Sequence, residues 1–96
     1  MMMNFWVNWD DCEFMTENAM REYVIKLGME IEPVVREEND FGRYVNENYE
    51  PMEILTKGLT EDVLKLVYEY HLSRLIEQRA KEVVADEGWE YVSLSD

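Results

Sequence analysis

Apolar and polar positions alternate at the start of the chain. In residues 3–9 (MNFWVNW), Phe5, Val7 and Trp9 fall on one side, and Asn4, Trp6 and Asn8 on the other. This period of two predicts a half-buried strand. Phe5, Val7 and Trp9 should face the core, with Trp6 on the polar side, exposed or covered by a second subunit. The polar break Asp10-Asp11-Cys12-Glu13 ends the alternation, and the period then lengthens. Thr16 is a candidate N-cap, Glu17 suits the first helical turn, and Ala19, Met20, Tyr23, Val24 and Leu27 share one helical face. Gly28 stands where a helix-ending glycine belongs, so a first helix is expected near 17–27.

Met29, Ile31, Pro33 and Val35 then alternate with Glu30 and Glu32. They predict a strand near 29–35, either at a sheet edge or short, because Pro33 has no N–H to donate. Residues 36–50 are polar, with a turn expected at Asn39-Asp40-Phe41-Gly42 and a short strand at Tyr44-Val45. Pro51 opens a short helix through about Lys57, closed by Gly58. Thr60 caps the longest element, a helix near 61–87 whose apolar stripe includes Leu64, Tyr68, His71, Leu72, Ile76 and Ala80. Gly88 ends it, and residues 89–94 read as a closing strand. The expected class is α+β: one domain over 1–96, with a small antiparallel or mixed sheet, a first helix and a long C-terminal helix.

Charge changes the picture. Twenty-two acids against nine bases give a formal net charge of −13, far beyond what solubility requires and costly to a compact state. Between Glu30 and Asp62 ten acids face three bases, whereas between Val63 and Ala85 three acids face four bases. The long helix is therefore balanced, and the acid lies in the middle third, with a second cluster at Asp10, Asp11, Glu13 and Glu17. Carboxylates two apart on a strand or four apart on a helix stand roughly 5–7 Å from one another. That is comparable to phosphate spacing along a nucleic-acid strand, so a protein that grips DNA through Lys and Arg can accept such a surface. The candidate partner-binding residues are Glu30, Glu32, Glu37, Glu38, Asp40, Glu47, Glu50 and Glu53, then Asp10, Asp11 and Glu13. Trp6 and Tyr49 join them as aromatic anchors.

Catalysis finds little support in the residue types. His71 lies on an apolar stripe, which favours a core role. One His and one Cys supply no four-ligand N/S zinc site, and acids beside Cys12 keep its thiol protonated. Glu37-x-Asn39-x-Phe41-Gly42 fails as a calcium loop, because Phe41 replaces a ligand and Asn48 stands at the bidentate Glu position. A Mg²⁺ site at Asp10, Asp11 and Glu13 is the one enzymatic alternative, of the phosphoryl-transfer kind. No cofactor is expected, no run is long enough to span a membrane, and Met1-Met2-Met3-Asn4 has no signal-peptide character. A cytoplasmic protein is the expectation.

In size, acidity and helical C-terminal half, the chain resembles the small DNA-mimic inhibitors of phages and mobile elements, of the anti-restriction or anti-CRISPR kind. Thr60-Glu61-Asp62-Val63-Leu64-Lys65-Leu66 is similar to a helix of the anti-restriction mimics. The resemblance implies an inhibitor that occupies the basic surface of a nucleic-acid-binding protein, without binding nucleic acid itself. It transfers no residue roles. A regulatory subunit or antitoxin-like module that binds a partner without mimicry is the alternative, and a homodimer is possible in either case.

Overall fold

The computed structural model describes residues 2–95 and has an α+β fold. Strand β1 (Met2–Asn8) turns into β2 (Glu13–Thr16), which runs straight into α1 (Glu17–Glu38). Two short helices, α2 (Phe41–Asn48) and α3 (Pro51–Thr56), lead to α4 (Glu61–Asp86) and the last strand, β3 (Trp89–Ser95). The sheet has the order β2-β1-β3 with both pairings antiparallel, so the first and last elements of the chain lie side by side.

The helix starts follow from their caps. Thr16 Oγ1 accepts the Ala19 N–H (3.1 Å), Asp40 Oδ1 that of Arg43 (3.1 Å), and Thr60 Oγ1 that of Val63 (3.3 Å). Each satisfies a donor that the first helical turn leaves free. Pro51 stands at the start of α3 and Gly58, with φ +68°, follows its end. Gly88 turns α4 into β3 at φ +96°, a left-handed conformation unfavourable for a residue with a Cβ.

The strand expected over 29–35 is absent. Those residues form the second half of α1, which passes through Gly28 without ending and carries Pro33 in its interior. An interior proline costs a helix about 3 kcal/mol. Against that cost, Ile31 and Val35 are one turn apart and pack on Tyr68, Leu72 and Ile76 of α4, with Val35 fully buried. Each fully buried side chain of this size returns about 1.5–3 kcal/mol. Gly28 is buried too: a Cβ there would lie 3.2 Å from Ile76 Cγ2, so it serves close approach rather than a helix end. Tyr44-Val45 is likewise helical, within α2, and Asp40 in the expected turn is that helix's cap.

The sheet is also turned over relative to expectation. Trp6 lies opposite Met15 and Tyr91, and Trp6, Met15 and Trp89 pack on Met20, Val24, Leu27 and Val84 of the helices. Trp6 therefore faces inward, half-buried. Phe5, Val7 and Trp9 share the outer face with Phe14, Val92 and Leu94. Val7 is fully buried there, but Trp9, Phe14 and Leu94 are more than half exposed. Both sides of β1 carry large apolar groups, so alternation alone does not choose the inner one. Trp89 and Met15, brought beside it by pairing, choose it.

α1 and α4 form an antiparallel hairpin with two core clusters. One joins the sheet to Met20 and Val84, and the other gathers Val35, Tyr68 and Leu72 at the far end. Arg36 clamps the hairpin, reaching Glu69 through two hydrogen bonds (3.0 and 2.8 Å) and Glu32 through two more (3.3 and 3.1 Å). The molecule is a thin rod with Cα extents of 59 × 28 × 16 Å. Its radius of gyration, 18.7 Å, far exceeds the roughly 12–13 Å expected of a compact chain of this length. No helix among the described residues is long and apolar enough to cross a membrane.

Candidate functional site

The thirteen residues singled out from sequence do not form one patch. Asp10 and Asp11 lie in the turn between β1 and β2, and Glu13 opens β2. Glu30, Glu32, Glu37 and Glu38 lie along α1, Asp40 and Glu47 at α2, and Glu50 and Glu53 at α3. Tyr49 is half-buried at the end of α2, edge-on to Tyr44 at 6.0 Å. Trp6 lies inward, as described, and is not an exposed anchor.

Several of these acids are already spoken for. Glu32 pairs with Arg36, Glu38 with Arg79, Glu47 with Arg43 (2.8 Å) and Glu53 with Lys57 (2.7 Å). The Lys57 ammonium holds the Glu53 carboxyl below its ordinary range, and Arg36 does the same for Glu69. These ion pairs are exposed and add little stability. They set the bases of the middle third, with Arg79 of α4, beside four of its acids and leave Glu30, Glu37, Asp40 and Glu50 without an ion pair among the described residues.

The sheet end behaves differently. Residues 9–22 and 86–90 carry eight acids and one base, Arg21. Folding brings these two segments together. The Asn8 side-chain amide donates to the Glu87 carbonyl (2.9 Å), Asn8 Oδ1 accepts the Asp11 N–H (3.3 Å), and Asp10 lies beside Gly88. Asn8 itself is buried and pins the hairpin turn to the end of α4. None of the eight acids takes part in an ion pair among the described residues.

Three of these carboxylates are instead met by aromatic donors. The Tyr23 hydroxyl donates to Glu87 (2.7 Å), which also accepts the Trp89 indole N–H (3.2 Å). The Trp9 indole donates to Glu90 (2.8 Å), and the Tyr91 hydroxyl to Glu17. A neutral donor orients a carboxylate and leaves its charge in place. The phenols register that charge. The Tyr23 pKa is pushed up to about 12, first by the bond to Glu87, then by burial and by the charges of Glu87, Glu30 and Glu13. Tyr91 is raised by its bond to Glu17. The result is a one-signed surface with oriented carboxylates and aromatic rings between them.

Sequence reading found half of this surface. Asp10, Asp11, Glu13 and Glu17 form a visible run, whereas Glu87 and Glu90 lie seventy or more residues away. The pairing of β1 with β3 brings them together, and Asn8, Trp9 and Tyr23 tie the two segments by hydrogen bonds. The metal alternative gains no geometric support, since among the described residues no three His, Cys, Asp or Glu side chains are grouped to share an ion. His71 is half-buried and stacked on Tyr44, with ring centroids 5.1 Å apart, a packing role consistent with its place on the apolar stripe. Comparison of the chain with known protein families, with curated proteins and with solved structures gives no match.

Proposed function

We propose that this chain is a non-catalytic inhibitor that occupies the basic, nucleic-acid-binding surface of a target protein, in the manner of the phage-type DNA mimics it resembles. The observation that carries the reading is the sheet end, where eight acids converge with one base and three of their carboxylates are oriented by Tyr23, Tyr91 and Trp9 rather than neutralised. The rod shape supports it. A net charge of −13 over 59 Å is one charge per about 4.5 Å, close to the spacing of about 3.4 Å along one DNA strand. A field of one sign steers basic partners and raises their on-rate. The exposed acids Glu30, Glu37 and Glu50, which have no ion pair among the described residues, extend it along the rod. Action in the cytoplasm, for a phage-encoded chain that of the host cell, belongs to the same reading.

The test is competition. Tagged protein is used to capture its partner from source-cell lysate, and the complex is challenged with duplex DNA. Under this reading the captured protein binds nucleic acid and is displaced by duplex, and Asp10, Asp11 and Glu13 reversed together to Lys abolish capture. A partner retained against excess duplex overturns mimicry. It would favour the second reading, a regulatory module held by an apolar interface, for which the outer sheet face with exposed Trp9, Phe14 and Leu94 is the supporting observation.

A further inference from the structure

The helical hairpin has one long open side. A groove of about 780 Å³ runs between α1 and α4, floored by Gly28 and Ile76 and closed at one end by Trp6 and Trp89. Its walls are two flanking helical stripes. On α1 the stripe is Arg21, Ile25, Met29 and Glu32, and on α4 it is Ser73, Glu77, Lys81 and Ala85. Ile25 and Met29 are more than half exposed, on a rod that is only 16 Å thick. A two-helix layer of this kind leaves one face of its core open, and a second pair of helices is the ordinary way to close it.

Charge on the rim identifies the occupant. In a chain of net charge −13, these walls carry two acids and two bases. Their positions are self-complementary. The contacts Gly28–Ile76 and Arg36–Glu69 set the register of the hairpin, and they place Arg79 level with Lys26. Arg21 and Glu32 lie on either side of that level on α1, and Glu77 and Lys81 on either side of it on α4. A two-fold axis crossing both helices there sets α1 antiparallel to α1 of a second copy. Arg21 then meets the other copy's Glu32, which holds Arg36 within its own chain. Glu77 and Lys81, paired within each chain at 2.9 Å, form a four-charge cluster with their counterparts, and Ile25 packs on the other Met29. A two-fold axis parallel to the helices does the opposite, bringing Arg21 toward Lys81 and Glu32 toward Glu77. We infer that a second copy of this chain covers the groove, in an antiparallel four-helix arrangement with the two sheets at opposite ends. An isologous interface requires this kind of self-complementarity. The inference does not depend on the functional reading above, because it uses none of the sheet-end acids.

Mass in solution and charge exchange test it. Light scattering on the full chain is expected to give twice the 11.6 kDa chain mass. Arg21→Glu alone and Glu32→Arg alone each set like charges face to face twice, and each should weaken the dimer about tenfold or more. Mixing the two variants restores both attractions and should yield a one-to-one heterodimer. Lys81→Glu and Glu77→Lys, single and mixed, should repeat the pattern on α4. Circular dichroism confirms that each variant is folded, and should one pair fail to fold, the other decides. A strict monomer at high concentration overturns the proposal and leaves the groove to a different partner. Single variants that dimerise like the parent, or a mixture that stays monomeric, overturn it equally.

Discussion

Gly28 of α1 faces Ile76 of α4 so closely that a Cβ on the glycine would lie 3.2 Å from Ile76 Cγ2. Two opposing effects meet at this contact. Alanine is favoured over glycine within a helix by about 1 kcal/mol, whereas the added methyl presses a β-branched side chain with little rotamer freedom. Gly28→Ala should therefore stay within about 1 kcal/mol of the parent, while Gly28→Leu should cost about 2–3 kcal/mol by forcing the hairpin apart. Urea denaturation monitored by circular dichroism measures both. A leucine variant as stable as the parent would show that the helices do not meet here.

Burial along α4 separates two leucines that look alike in sequence. Leu72 is 1% exposed against Val35 and Tyr68, and Leu66 is 72% exposed. Leu72→Ala should cost about 2–5 kcal/mol, through lost transfer free energy and the cavity left behind. Leu66→Ala should change stability by less than about 0.5 kcal/mol. Equal effects at the two sites would contradict the orientation of α4.

Tyr23 supplies a pH signature. Its folded pKa of about 12 lies above the ordinary phenol value of 10.0, chiefly through its bond to Glu87. A raised folded pKa means that the native state holds its proton after the unfolded chain has lost it. The resulting stability is fully present below pH 10 and is lost as pH rises from 10 to 12. Glu87→Gln should bring the Tyr23 titration back toward 10 and flatten this decline. Carbon NMR of labelled tyrosine rings resolves Tyr23 from Tyr91, Tyr44 and Tyr68, whose pKa values are also raised.

The outer sheet face predicts that polarity can be added without unfolding. Phe14 is 67% and Leu94 54% exposed. Phe14→Thr with Leu94→Thr should keep the thermal midpoint within a few degrees, since threonine suits a strand and little burial is lost. The same pair should reduce binding of a hydrophobic dye. A cooperative loss of the sheet would mean that these side chains hold β2 and β3 to β1.

Local chemistry in the sequence determined much of this protein. Thr16 and Thr60 mark the starts of the two long helices, Pro51 and Gly58 bound the short α3, and the strands at both ends follow their alternation. The α+β class and the excess of acid are legible in the same way. Other features depend on tertiary contacts. Over residues 28–35 a period of two through Met29, Ile31 and Val35 overlaps a helical period through Gly28, Ile31 and Val35. Ile76, Leu72 and Tyr68 on α4 select the helix by burying the second set. Gly28 reads locally as a helix end, and only a partner helix at 3.2 Å makes it a point of close approach. The inner face of β1 was likewise undecided until Met15 paired with Trp6 and Trp89 with Asn8 on the same face. The acidic surface is the clearest case. Its halves are separated by most of the chain, and the β1–β3 ladder unites them because backbone hydrogen bonding is blind to sequence distance.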